Sequence, residues 1–276
     1  MTDWSTGVCE TNGINIHYVR TGGSKPPLVL LHGLTANGAC WSVLARALEG
    51  EYDVIMPDAR GHGTSSAPDH GYRYEDHADD VVGFMKVLDL SAPILLGHSM
   101  GGMTAAVVAS REPHLLRGLI LADPTFLSAA RQQEVFEGDS ADQHRHMLNT
   151  ALHELVEESG RKHPGRSSAT LEFIARARLQ TSLRAFDVLR PPNPDYMRLM
   201  SAIDVPCLVV IGDAGVVSPA VAAEMQRVNP RIHVEQIPEA GHGVHYDQPE
   251  RFTAAVKSFL CSRIHGSVRT APTMPH

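Results

Sequence analysis

Five short, mostly apolar runs constrain this chain more than any other feature of its sequence: residues 28–31, 52–56, 94–96, 119–122 and 207–211. They lack the polar alternation of a strand with one wet face, and they are too short to be buried helices. Such runs predict strands covered on both faces, as in a parallel sheet. A sixth run, 232–237, is weaker and alternates. Residues 8–20 add two strands joined at Asn12-Gly13, a dipeptide that favours a hairpin turn. Between the runs lie helical patterns at 38–48, 74–88, 99–110, 219–228 and 248–260. Ahead of the last, Asp247 and Glu250 make a capping-box pair, with Pro249 in the first turn. Strands alternating with helices predict an α/β architecture, a mostly parallel sheet with helices on both faces.

One stretch breaks that rhythm. From 124 to about 203 there is no convincing strand, only helical pieces at 142–159 and 169–189, punctuated by Pro164-Gly165 and Pro191-Pro192-Asn193-Pro194. The expectation is a core formed by 1–123 and 204–262, a helical insertion at 124–203, and a polar, disordered tail at 263–276. With 276 residues, 43% hydrophobic and 20% charged, the chain can bury such a core without disulfides or metals. Its four cysteines show no paired spacing and read as reduced. The net charge of −7 is interspersed, which excludes a basic nucleic-acid footprint. No leader-like segment and no run of membrane-spanning length is seen, so a soluble, cytoplasmic protein is expected.

Three loops carry chemistry. Gly97-His98-Ser99-Met100-Gly101 is a G-x-S-x-G motif, entered by the apolar strand 94–96 and left by a small-residue helix. That is the strand–turn–helix setting of a nucleophile elbow, which presents the Ser99 hydroxyl above the sheet. His32-Gly33-Leu34 follows the first buried strand; there the Leu34 amide can join that of Met100 as an oxyanion hole. His32 reads as a residue that holds its loop through hydrogen bonds. Gly241-His242-Gly243 lies between the last strand and the last helix, where an imidazole reaches a nucleophile on a neighbouring loop. Of sixteen histidines, His242 is singled out by its place in the order serine, acid, histidine, with His245 as the fallback. His144, His146, His153 and His163 read as helix-surface residues.

Taken with Asp58-Ala59-Arg60-Gly61-His62-Gly63-Thr64-Ser65, these motifs resemble the α/β-hydrolase superfamily over roughly residues 8–260. The resemblance implies an eight-stranded core with the insertion as a cap over the site, and structural roles for Asp58 and Arg60. It also implies an acid. Relatives commonly place it in G-x-x-D-x-x-x-P after the penultimate strand, where this chain has Gly212-Asp213-Ala214-Gly215-Val216-Val217-Ser218-Pro219, with glycine at the acid position. Some place it one strand earlier, where Asp123 stands before Pro124. Asp123 is the favoured acid and Asp213 the alternative.

A serine at the elbow sets the chain apart from dehalogenases and epoxide hydrolases, which by the same resemblance need a carboxylate there. The expected activity is hydrolysis of a small to medium carboxylic ester through an acyl-enzyme. Amide, lactone or carbon–carbon bond hydrolysis is the alternative, and a non-catalytic receptor the rival from another class. The loop His32-Gly33-Leu34-Thr35-Ala36-Asn37 also resembles bacterial amidohydrolytic members that degrade small ring-derived acids. Phe126, Phe173 and Phe186, with Leu34 and Met100, suggest an apolar pocket for an uncharged group. No metal ligand set and no phosphate-binding loop appears, so no cofactor is expected; the partner is a small-molecule substrate, not nucleic acid or membrane.

Overall fold

The computed structural model describes residues 4–265. Eight strands form one sheet: β1 (Ser5–Thr11), β2 (Ile14–Arg20), β3 (Pro27–Leu31), β4 (Asp53–Pro57), β5 (Ile94–His98), β6 (Gly118–Ala122), β7 (Cys207–Ala214) and β8 (Ile232–Gly241), in the order β1-β2-β4-β3-β5-β6-β7-β8. β1 and β2 form the hairpin turned at Asn12-Gly13, and β2 runs antiparallel to β4. The other pairs are all parallel.

Helices follow the strands. α1 (Ser42–Leu48) comes after β3, α2 (Tyr74–Val87) after β4 and α3 (Met100–Arg111) after β5. Between β6 and β7 lie α4 (Ala129–Glu137), α5 (Ser140–Met147), α6 (Leu152–Lys162), α7 (Ser168–Leu179) and α8 (Tyr196–Ala202). α9 (Pro219–Val228) joins β7 to β8, and the short α10 (Val244–Asp247) runs into α11 (Pro249–Phe259). The pure apolar strands are explained by what covers them. On β3, Leu28 and Leu30 point to one face, in one apolar cluster with Trp41, with Leu44 and Leu48 of α1, and with Phe252 and Val256 of α11. Val29 and Leu31 point to the other, against Phe84 of α2, Met103 and Ala106 of α3 and Met225 of α9. Burying each large side chain contributes about 1.5–3 kcal/mol, so neither face of the sheet can be polar.

Several expectations are corrected. The helix expected at 142–159 is two, α5 and α6, because the Asn149 amide and the Thr150 hydroxyl donate back to the Arg145 and His146 carbonyls and end the first turn-run. The helix expected at 169–189 stops with α7 and resumes as a 3-10 segment, Leu183–Leu189, capped by the Ser182 hydroxyl. α11 has Gln248 at its N-cap with no side-chain cap, and Asp247 is engaged elsewhere. His144 is buried, its ring hydrogen-bonded to the Thr181 carbonyl at 2.9 Å. The tail does not begin at 263: the chain stays helical from Leu260 to His265, and Ile264 is only 3% exposed. The rest of the expected disordered tail lies outside the described residues.

Candidate active site

The turn from β5 into α3 is set by close approach. A Cβ at Gly97 would stand 2.2 Å from the Gly101 carbonyl oxygen, and one at Gly101 would stand 2.5 Å from that of Leu31. Only glycines let the strand, the helix and β3 meet there. Ser99 sits at the apex with φ 53° and ψ −116°, at the N-cap of α3. Its strained backbone lifts the hydroxyl off the sheet.

The Ser99 Oγ lies 2.8 Å from Nε2 of His242. That imidazole stands in the loop between β8 and α10, 40% exposed, and its Nδ1 is 2.6 Å from Asp123 Oδ2. Two neighbours hold the loop. The Asp247 carboxylate accepts the Gly241 N–H at 3.0 Å, and His98 donates from Nε2 to the His242 carbonyl at 2.8 Å.

Asp123 follows β6 with φ 40° and is fully buried. Burying a carboxylate is costly unless its oxygens are satisfied. Here Oδ2 accepts the Val216 N–H at 2.8 Å and Oδ1 that of Val217 at 2.9 Å. The glycine at 215 is now explained: a Cβ there would meet Asp123 Oδ1 at 2.6 Å and Oδ2 at 2.7 Å. Asp213 points away at a bulge in β7, where its exposed carboxylate accepts from Gln236 Nε2 and Glu239 N–H, both at 2.8 Å. The Glu239 N–H and then the Gln236 amide hold its carboxyl below the usual range. Of the two acids weighed from the sequence, Asp123 is therefore the one at His242. His245 is buried beside Trp41, burial pushes it down to about 3, and neither ring nitrogen has a partner among the described residues.

The β3 loop packs on the elbow. A Cβ at Gly33 would lie 3.1 Å from that of Ser99. No described residue accepts a hydrogen bond from the Leu34 or the Met100 amide. His32 donates from Nδ1 to the Gly33 carbonyl and accepts the Ala59 N–H at Nε2, so it holds the loop. Asp58 accepts from the Gly38 and Thr64 amides and pairs with His17, while Arg60 forms a buried pair with Asp80. Both stay out of the Ser99 cleft.

Ser99 and His242 open into a cleft of about 750 Å³, a volume suited to a small ligand. Its walls differ from the apolar pocket expected. Phe126, Phe173 and Phe186 do not line it: Phe126 stacks on Tyr196, Phe186 packs on His144 and Phe173 packs toward the core. The chain between β6 and β7 instead contributes Lys162, His163, Arg166, Ile174 and Arg178. Arg166 pairs with Asp247 at 2.7 Å and Lys162 with Glu158 at 2.6 Å.

Sequence reasoning missed five residues. His98 was in plain view as the variable residue of the motif. Asp247 was read as half of a cap. Thr125, whose Oγ1 is 3.3 Å from Ser99 Oγ, and Arg166 and Arg178 gave no local signal, since only the tertiary fold brings them near. Among the described residues no group of three or more His, Cys, Asp or Glu is placed to hold a metal ion, and no helix is long and apolar enough to cross a membrane.

Residues 26–249 match the family described as the alpha/beta hydrolase fold. The chain is 30% identical over 271 residues to N-formylmaleamate deformylase of Pseudomonas putida, covering 92% of this chain and 96% of the relative. It is 28% identical over 257 residues to 2-(acetamidomethylene)succinate hydrolase of Mesorhizobium japonicum, covering 88% and 90%. Among solved structures, a thermophilic esterase from Thermogutta terrifontis, with malate bound, superposes with a TM-score of 0.78 at 27% identity over 94% of this chain and 99% of that one.

Proposed function

The chain belongs to the alpha/beta hydrolase fold family, and on that premise we propose that it is a serine hydrolase cleaving a small to medium carboxylic ester through an acyl-enzyme. One observation carries the reading: an unbroken hydrogen-bonded line from Ser99 through His242 to a buried Asp123, opening into a cleft. In the proposed reaction, His242 Nε2 takes the hydroxyl proton as Ser99 Oγ attacks the acyl carbon. Asp123 holds the Nδ1–H tautomer and stabilises the imidazolium. The Leu34 and Met100 amides donate to the developing oxyanion. Breakdown of the tetrahedral intermediate expels the leaving group, which receives the proton from His242. Water, deprotonated by the same nitrogen, then releases the acid and restores Ser99. Residues 124–203 act as the cap of this site and set its substrate.

Amide hydrolysis is the second reading, and the relatives favour it. Both the deformylase and the acetamidomethylene hydrolase are named for substrates with an acyl group on nitrogen. The same line of residues serves, with His242 protonating a nitrogen leaving group. A fluorophosphonate probe should label Ser99 with 1:1 stoichiometry, and a panel of matched 4-nitrophenyl esters and 4-nitroanilides ranks the two bonds. Labelling at another residue, or unchanged turnover by Ser99→Ala, overturns the proposal.

A further inference from the structure

Arg178 stands apart from the other cations of the cleft. It lies in the last turn of α7 and lines the same cavity as Ser99 and His242. Lys162 has Glu158, and Arg166 has Asp247, to which both its Nε and Nη2 donate. Arg178 has no ion pair and no hydrogen-bonded partner among the described residues, although it is half-buried. Burial first, and the neighbouring Arg166 guanidinium second, push its pKa down. Guanidinium keeps its proton well above neutral pH, so the pressure is not relieved by titration. Two carboxylates line the cleft, and neither answers Arg178: Asp247 is taken by Arg166 and the Gly241 N–H, and Glu239 is exposed.

A desolvated guanidinium beside a like charge is costly, and an incoming anion removes the cost. Its planar fork of donors matches a carboxylate in two parallel hydrogen bonds. Arg166 adds to the field at the catalytic loop, for its Nη2 would lie 2.9 Å from a Cβ at Gly243, next to His242. We infer that the substrate carries a free carboxylate in addition to the acyl group that is cleaved, and that Arg178, supported by Arg166, receives it. This rests on the acyl-hydrolase reading above and narrows its substrate class to small acyl compounds that are themselves acids.

The test compares isosteric substrates. Mono-(4-nitrophenyl) fumarate and 4-nitrophenyl crotonate differ only in carboxylate against methyl on the acyl side, and the trans geometry prevents the carboxylate from attacking its own ester. 4-Acetoxybenzoate and 4-acetoxybenzamide place the same contrast on the leaving group. In one of the two pairs, Arg178→Gln should lower the acid's kcat/KM relative to the neutral partner by about 10- to 100-fold, mostly through KM, as for a lost charged hydrogen bond. Arg178→Lys should restore part of it, since lysine keeps the charge but not the fork. Fumarate should also inhibit crotonate-ester hydrolysis by the unaltered enzyme competitively, more tightly than crotonate does. That measurement stands even if the variants fail to fold. An enzyme labelled at Ser99 and active on these esters, with both ratios unmoved by Arg178→Gln or with no inhibition by fumarate, overturns the carboxylate inference and leaves the hydrolase intact. No turnover of any ester together with no labelling of Ser99 overturns both.

Discussion

Two sides of one cleft are built differently. On the sheet side, Ser99, Asp123 and His242 stand on loops at strand ends, each held by backbone hydrogen bonds, with Gly97, Gly101 and Gly215 permitting close approach. On the α6–α7 side, Lys162, Arg166 and Arg178 reach the cleft on long side chains, from a surface that carries ion pairs within helices, such as Lys162–Glu158 and Arg176–Glu172, whose partners are half or more exposed. Such pairs contribute about 0–1 kcal/mol each, whereas the buried carboxylate and its donors leave almost no freedom. On the proposed reading the labour is divided: backbone amides hold the Ser99–His242–Asp123 line in position, and the charged side chains of the other wall set selectivity. Changes on the sheet side should depress kcat for every substrate alike; changes on the other side should act through KM and depend on the substrate.

The largest effect should come from Ser99→Ala, about a million-fold in kcat on all esters, read in single-turnover assays with the fold checked by circular dichroism. Asp123→Asn should cost about ten-thousand-fold, since asparagine favours the wrong histidine tautomer, while Asp213→Asn leaves kcat within about two-fold. Equal losses at the two acids would break the comparison. Gly215→Ala should cost about a hundred-fold in kcat by shifting the Asp123 carboxylate on the order of 1 Å. Asp247→Asn touches both sides, because it weakens the Gly241 tether and frees Arg166. It should lower kcat and raise KM together, by roughly ten-fold in kcat/KM, as loss of a charged hydrogen bond would.

Stability, rather than turnover, responds to the buried histidines. Burial pushes His77 and His245 down from 6.5 to about 3 and lowers His98 and His62 as well. Between the two values the unfolded chain takes up protons that the folded chain refuses. Stability therefore falls as pH drops below about 6.5, by up to about 1.4 kcal/mol per pH unit for each such histidine. His245→Phe, set among Trp41, Tyr246 and Phe252, should narrow the gap in Tm between pH 7 and pH 5. An unchanged gap would show that His245 titrates normally.

The same contrast explains what could be read in advance. Leu28 to Leu31 announce a strand covered on both faces because each residue has a helix to meet, and Gly97 and Gly101 announce the elbow because no larger residue fits. Asp123 was legible as the favoured acid, a carboxylate at a strand end with glycine where relatives carry theirs. The physical reason for that glycine, the close approach of the Asp123 carboxylate, needed the tertiary fold. Between β6 and β7 the pattern misled. Phe126, Phe173 and Phe186 looked like pocket residues but pack away from the cleft. Helix periodicity marks an apolar face without saying which neighbour it faces. Arg166 precedes α7 and Arg178 stands in its last turn, twelve positions on, so no local spacing signals their convergence.

The fit of the Asp123 carboxylate into the volume above Gly215 also limits the routes by which such a chain can descend. A Cβ at 215 would stand 2.6 Å from Asp123 Oδ1, so a side chain there displaces the Asp123 carboxylate from its present place. Where aspartate stands at 215, a form with both acids must move the Asp123 side chain aside, and the other stepwise route passes through a form with neither. An acid-less form, about ten-thousand-fold slower in a comparable triad, is a deep fitness valley. Positions 123 and 215 are thus coupled, and a change at one is felt at the other.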